Sequence, residues 1–108
     1  MSQTNELTRQ ILQNLYNRQI FAWRQNVAGI PLPQGGFRPG GKKGVSDILA
    51  ILPPNGRLLC LEVKTEKDRL RPEQLGFRQN VERMGGLYLV VSSYKNFTEQ
   101  LDKILSTS

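Results

Sequence analysis

Leu7, Ile11, Leu12 and Leu15 recur at helical spacing between Thr4 and Arg18, with Gln, Asn and Arg filling the intervals, so an amphipathic helix is expected there. Ile20 to Gln25 is short and aromatic-rich, which predicts a strand and assigns Phe21 and Trp23 to the core, as Tyr88 is assigned further on. Ser46 to Leu52 and Arg57 to Lys64 are apolar runs joined by Pro53-Pro54-Asn55-Gly56, the pattern of a hairpin closed by a four-residue turn. Pro72 suits the first position of a helix and Glu73 its positive end. Phe77, Val81 and Met84 give that helix an apolar side, and Gly85-Gly86 stops it. Leu87 to Val91 predicts a strand, and Tyr94, Phe97, Leu101, Ile104 and Leu105 mark the inner face of a last helix. The expected order is α-β-β-β-α-β-α, an α/β chain with neither repeat nor linker.

Between Gly29 and Gly44 lie six of the ten glycines and three of the six prolines, so no regular element is expected but an irregular basic loop with Arg38, Lys42 and Lys43. At 108 residues the chain holds one core and not two, and residues 1–108 are taken as a single domain. Fifteen Lys and Arg against nine Asp and Glu give a formal charge of +6, which favours an anionic partner, nucleic acid before membrane. A lone cysteine, Cys60, precludes an internal disulfide and reads as core packing. With no charged-then-apolar signal segment, a reducing, cytoplasmic compartment is expected. No apolar run approaches the roughly 20 residues that span a bilayer.

Histidine is absent, which removes imidazole zinc sites, Ser-His and Cys-His nucleophile pairs, and imidazole general bases. Catalysis would have to run on carboxylates, amines, hydroxyls and hard oxygen-loving cations such as Mg²⁺ or Mn²⁺. The hairpin supplies the acids. If its turn keeps four residues, Leu52 faces Arg57, and counting back places Asp47 opposite Glu62 on one sheet face. Opposed residues stand with Cβ atoms roughly 4.5–5.5 Å apart, where like charges repel unless a cation sits between them. Side chains alternate along a strand, so Lys64 shares the face of Glu62. In phosphodiester hydrolysis a metal polarises the phosphate and lowers the pKa of a bound water. Lys64 would orient that water or neutralise developing charge. An isolated E-x-K triplet is common and weak; its weight comes from acids intruding on an apolar strand beside a third charged residue.

Gly44-Val45-Ser46-Asp47, Leu61-Glu62-Val63-Lys64, Pro72-Glu73-Gln74 and Gly85-Gly86-Leu87-Tyr88, in this order, resemble the VRR-NUC family of the PD-(D/E)XK nuclease superfamily, across about residues 4 to 105. The resemblance implies an αβββαβ core, here with a C-terminal helix, around a mixed central sheet flanked by helices. It implies a divalent metal on Asp47, Glu62 and the backbone carbonyl of Val63. It also implies an acid on the first helix, for which Glu6 is the candidate, and a site glutamine, Gln74. Small stand-alone members are similar to Holliday-junction resolvases and act as dimers. One departure is Ser46, where the superfamily usually has proline before its Asp.

Several residues keep a second reading. Glu6 is equally a first-turn carboxylate satisfying the helix dipole, and Gln74 equally a solvated helix residue. Phe21, Trp23 and Tyr88 read as core aromatics, with base stacking as an alternative that nothing in the sequence supports. Arg38, Lys42 and Lys43 read as phosphate contacts or as a solvated loop, and Arg69, Arg71 and Arg78 extend the basic face. Gly36 to Lys42 spells G-x-x-x-x-G-K, but Lys43 replaces the Ser or Thr that binds Mg²⁺, so no nucleotide cofactor is expected. The functional expectation is a metal-dependent DNA endonuclease acting on branched DNA such as Holliday junctions, as a homodimer. The alternatives are a restriction-type or flap nuclease with the same site, or a non-catalytic DNA-binding module.

Overall fold

A computed structural model describes the backbone of residues 3–25, 30–38, 44–65 and 67–107 and the side chains of 5–25, 31–36, 44–65 and 67–107. Its elements are α1 (Gln3–Asn17), β1 (Phe21–Arg24), β2 (Ile30–Pro31), β3 (Phe37–Arg38), β4 (Ile48–Leu52), β5 (Arg57–Val63), α2 (Pro72–Arg83), β6 (Leu87–Val91) and α3 (Tyr94–Thr107). The expected α-β-β-β-α-β-α order is present. One addition corrects it: β2 and β3 pair antiparallel, Ile30 with Arg38 and Pro31 with Phe37, inside the stretch expected to hold no regular element. Gly35 and Gly36, both at positive φ, turn the chain tightly enough for this short ladder to close.

The main sheet runs β1-β4-β5-β6. The β1/β4 and β4/β5 pairs are antiparallel and β5/β6 is parallel, so the sheet is mixed. The parallel pair follows from chain geometry, because α2 carries the chain from the end of β5 back to the start of β6. β5 is an interior strand covered on both faces, and every residue from Leu59 to Val63 is buried.

Alternation along the strands divides the core in two. Ile48, Ala50, Leu59, Leu61, Val63 and Val91 face α1 and α3, whose Ile11, Leu15, Phe97 and Leu101 are fully buried against them. Each such side chain contributes about 1.5–3 kcal/mol through burial. Cys60 and Tyr88 face the other way, toward Phe77 and Val81 of α2.

That second face is only partly roofed, and two core assignments fail there. Phe21 is 68% exposed and Trp23 37% exposed, whereas Tyr88 is buried as expected. β1 is the edge strand, and α2 lies over β5 and β6 at the opposite side of the sheet. Ala22, which points the other way, is the β1 residue that packs on the main core. Met84 is likewise exposed, because α2 ends at Arg83 and the turn through Gly85 carries residue 84 off the helix's inner face.

Candidate active site

The β4–β5 ladder ends at Ile48 and Leu61, with Leu52 opposite Arg57 at the turn. One step past its open end, Asp47 and Glu62 oppose each other in the register that the four-residue turn dictates. Asp47 closes this step with its side chain, since the Val63 N–H donates to Asp47 Oδ2 at 2.8 Å. The Asp47 carbonyl accepts from the Gln25 N–H at 2.8 Å, which ties the same residue to β1. Ser46 replaces the rigidity of a proline by a local bond: its buried hydroxyl donates to the Ile48 carbonyl at 3.0 Å.

Gly44 fixes where this segment lies. Its φ is +82°, and a Cβ built there would stand 2.2 Å from the carbonyl oxygen of Glu73. The absent side chain lets the approach to Asp47 press against the first turn of α2, from which Gln74 reaches the site.

Glu62 is 4% exposed on an interior strand. Gln74 Nε2 donates to its Oε2 at 3.1 Å, and Lys64 Nζ stands 3.8 Å from the same oxygen. Gln74 has a second duty, because its Oε1 accepts from the Arg71 N–H at 2.8 Å and so satisfies an orphan donor at the start of α2. One amide therefore couples the helix start to the acid. Burial and then the negative charge of Asp47 push the Glu62 carboxyl up to about 7, while Lys64 pulls the other way.

The other oxygen of Glu62, Oε1, is buried and has no hydrogen-bond partner among the described residues. An orphaned acid oxygen beside a second carboxylate is the signature of a place that a cation completes. Asp47 and Glu62 present oxygen donors alone, a set that fits a hard divalent ion keeping several waters. Among the described residues no group of three or more Asp, Glu, Cys or His residues gathers around it. Glu6, the proposed third acid, sits in the first turn of α1 with its carboxylate bound to Arg9, a contact that also lowers its pKa.

Of the residues expected in the site, Asp47, Glu62, Val63, Lys64 and Gln74 are brought together, and Glu6 is directed to Arg9 instead. The Arg38 side chain, Lys42 and Lys43 lie outside the described residues. Arg71 caps the start of α2 and pairs with Glu73 at 3.5 Å, while Arg78 bonds Glu82 at 3.4 Å and lies 5.5 Å over the Tyr88 ring.

Tyr88, expected as a core aromatic with base stacking as its second reading, is a neighbour of the site. In the β5/β6 register it opposes Cys60, one row from Glu62, and its buried hydroxyl has no hydrogen-bond partner among the described residues. Burial, then the Glu62 charge, raises its pKa, so the phenol stays protonated. A hydroxyl inside the apolar run Leu87–Val91 was the available signal.

The sequence profile of the VRR-NUC domain matches residues 1–95. The chain belongs to the VRR-NUC domain family. That membership makes it a nuclease domain, with nucleic acid as the class of partner. A solved structure described as a VRR-NUC domain superposes with a TM-score of 0.68 at 21% identity, covering 98% of this chain and 97% of that one. The likeness establishes a shared VRR-NUC fold. No curated protein sequence matches the chain. Among the described residues no helix is long and apolar enough to cross a membrane.

Proposed function

We propose that this VRR-NUC domain is a Mg²⁺- or Mn²⁺-dependent endodeoxyribonuclease that hydrolyses phosphodiester bonds at the Asp47–Glu62 pair. The observation that carries the reading is the orphaned, buried Glu62 Oε1 facing a second carboxylate across the open end of a hairpin. Asp47, Glu62 and the Val63 carbonyl would hold the ion. When bound, it supplies charge at the phosphate and a water acidic enough to attack near neutral pH.

The remaining work falls to the chain itself. Gln74 holds the Glu62 carboxylate in one orientation from the first turn of α2, and the Val63 N–H does the same for Asp47. Lys64, 17% exposed at its side chain, carries the cation that neutralises charge gathering on the phosphate oxygens or orients the water. Arg71 and Arg78 contact the DNA backbone beyond it, joined by the basic residues Arg38, Lys42 and Lys43.

The proposed substrate is branched DNA, including Holliday junctions, cut by a homodimer. A centre that reaches one strand needs a symmetric partner to cut both strands of a four-way junction. The test is a panel of four-way junction, flap, linear duplex and single-stranded DNAs incubated with Mg²⁺, Mn²⁺ or EDTA, with the oligomeric state followed by light scattering. Metal-dependent internal cuts concentrated on branched DNA by a dimer are expected. Tight binding with no cutting in either metal would make the chain a non-catalytic DNA-binding module, and cutting by a monomer would remove resolvase action.

A further inference from the structure

We propose that Phe21 and Trp23 form a stacking platform for unpaired nucleobases beside the Asp47–Glu62 site, so that among branched DNAs those with a single-stranded stretch next to the bond cut, such as flaps, are preferred over fully paired four-way junctions. This deepens the nuclease reading and rests on it for the identity of the neighbouring site.

The two rings lie on the site's own face of the sheet. Phe21 opposes Ile51 and Trp23 opposes Leu49 in the β1/β4 register, and the Gln25 N–H continues it to Asp47. Trp23 Nε1 donates to Gln25 Oε1 at 3.2 Å, and the Phe21 and Trp23 centroids are 5.3 Å apart, so the three side chains line one side of β1. Residues two apart on a strand are separated by about 6.6 Å and neighbouring strands by about 4.8 Å, which puts the backbone of Trp23 about 8 Å from that of Asp47 on the diagonal across the sheet.

The chemistry of the patch selects its occupant. Burying an exposed aromatic pair favours any apolar partner, but this pair continues directly into a phosphate-cleaving site on a chain of charge +6. The indole N–H is already satisfied by Gln25, which leaves the ring faces as the free surface. Flat rings offered beside a phosphate-binding centre match a nucleobase attached to the same backbone, and stacking tolerates any base. A paired base has both faces covered by its neighbours, so the platform discriminates in favour of unpaired strand.

Trp23 is the single tryptophan of the chain, and its emission reports the contact without interference. The protein is titrated in EDTA, where binding is separated from cutting, with a short oligothymidylate, an abasic strand of equal length, and a blunt duplex. Quenching by oligothymidylate and not by the abasic strand or the duplex is expected. Followed by the anisotropy of a labelled strand, since the variants lack the reporter, Phe21→Leu with Trp23→Leu should weaken single-strand binding about 10-fold or more while leaving duplex binding unchanged, and Trp23→Phe should restore most of it. Equal quenching by the abasic strand, or none by any DNA, overturns the proposal, as does a concentration-dependent emission shift without DNA, which would show a second copy covering the rings. Cutting without quenching removes the platform and leaves the nuclease; quenching without cutting does the reverse.

Discussion

Asp47 and Glu62 oppose each other one step beyond the last paired residues of the β4–β5 ladder, and Asp47 completes the step with its own carboxylate on the Val63 N–H. Two acids at a sheet's frayed end repel each other without a cation, and Glu62 meets part of that cost by holding a proton up to about pH 7. In the proposed reading, a bound cation relieves this conflict.

The conflict has a pH signature. A carboxyl whose folded pKa is raised binds more protons folded than unfolded, so its burial is tolerated at acid pH and destabilises progressively as pH rises from about 4.5 to about 7. In EDTA, Glu62→Gln should match the wild type near pH 4.5 and exceed it near pH 8, by up to ~3 kcal/mol in urea unfolding. Equal stability at both pH values would show that Glu62 is not held protonated. In the wild type, Mn²⁺ affinity should rise with pH up to about 7, because the ion displaces the Glu62 proton.

Gln74 joins α2 to the acid, and removing its amide breaks both ties at once. Gln74→Ala leaves the Arg71 N–H and Glu62 Oε2 short of a partner and should cost about 2–4 kcal/mol in stability and about 10- to 100-fold in cleavage. Gln74→Glu, of the same shape, should keep the helix start and raise the Glu62 pKa further. Thermal melts and single-turnover cleavage of the two variants separate the structural role from the electrostatic one.

Lys64 is the near cation, 3.8 Å from Glu62 Oε2. Lys64→Met keeps the stem and loses the charge, so single-turnover cleavage should fall about 10²- to 10³-fold with DNA binding nearly intact. A parallel loss of DNA binding, with the rate of bound complex unchanged, would make Lys64 a phosphate contact only.

The hairpin register was legible because a four-residue turn and period-two alternation leave one solution, and an acid within an apolar strand marks its own face. The chain's elements were legible for the same reason: Leu7 to Leu15 and Tyr94 to Leu105 keep one period throughout. Phe21 and Trp23 were not, since aromatic composition predicts a strand but not whether a helix covers its far side, and α2 lies over β5 and β6, leaving both rings exposed. Glu6 stands in the first turn of α1, yet Arg9 three residues on claims it, a local pairing that spacing alone leaves undecided. Gly44 looked like loop punctuation, whereas its lack of a side chain is what admits the Glu73 backbone.

Gly44 thus gives a prediction of its own. Gly44→Ala meets both the +82° backbone and a 2.2 Å approach to Glu73, so it should destabilise by about 1–3 kcal/mol and shift the site segment away from α2. Cleavage should drop more than binding, as the Asp47 carboxylate loses its placement. A Gly44→Ala protein with unchanged melting and activity would mean that the contact with α2 does not set the site.

The most direct test is the single-turnover cleavage rate of wild type, Asp47→Asn and Glu62→Gln on one flap DNA across a Mn²⁺ titration, with DNA binding followed in Ca²⁺. Metal-dependent cutting by the wild type, a loss of at least about 10²-fold in each variant, and DNA binding retained by both are expected. Cutting that survives in EDTA, or in either variant at the wild-type rate, would contradict the assignment of Asp47 and Glu62 as the pair that holds the metal.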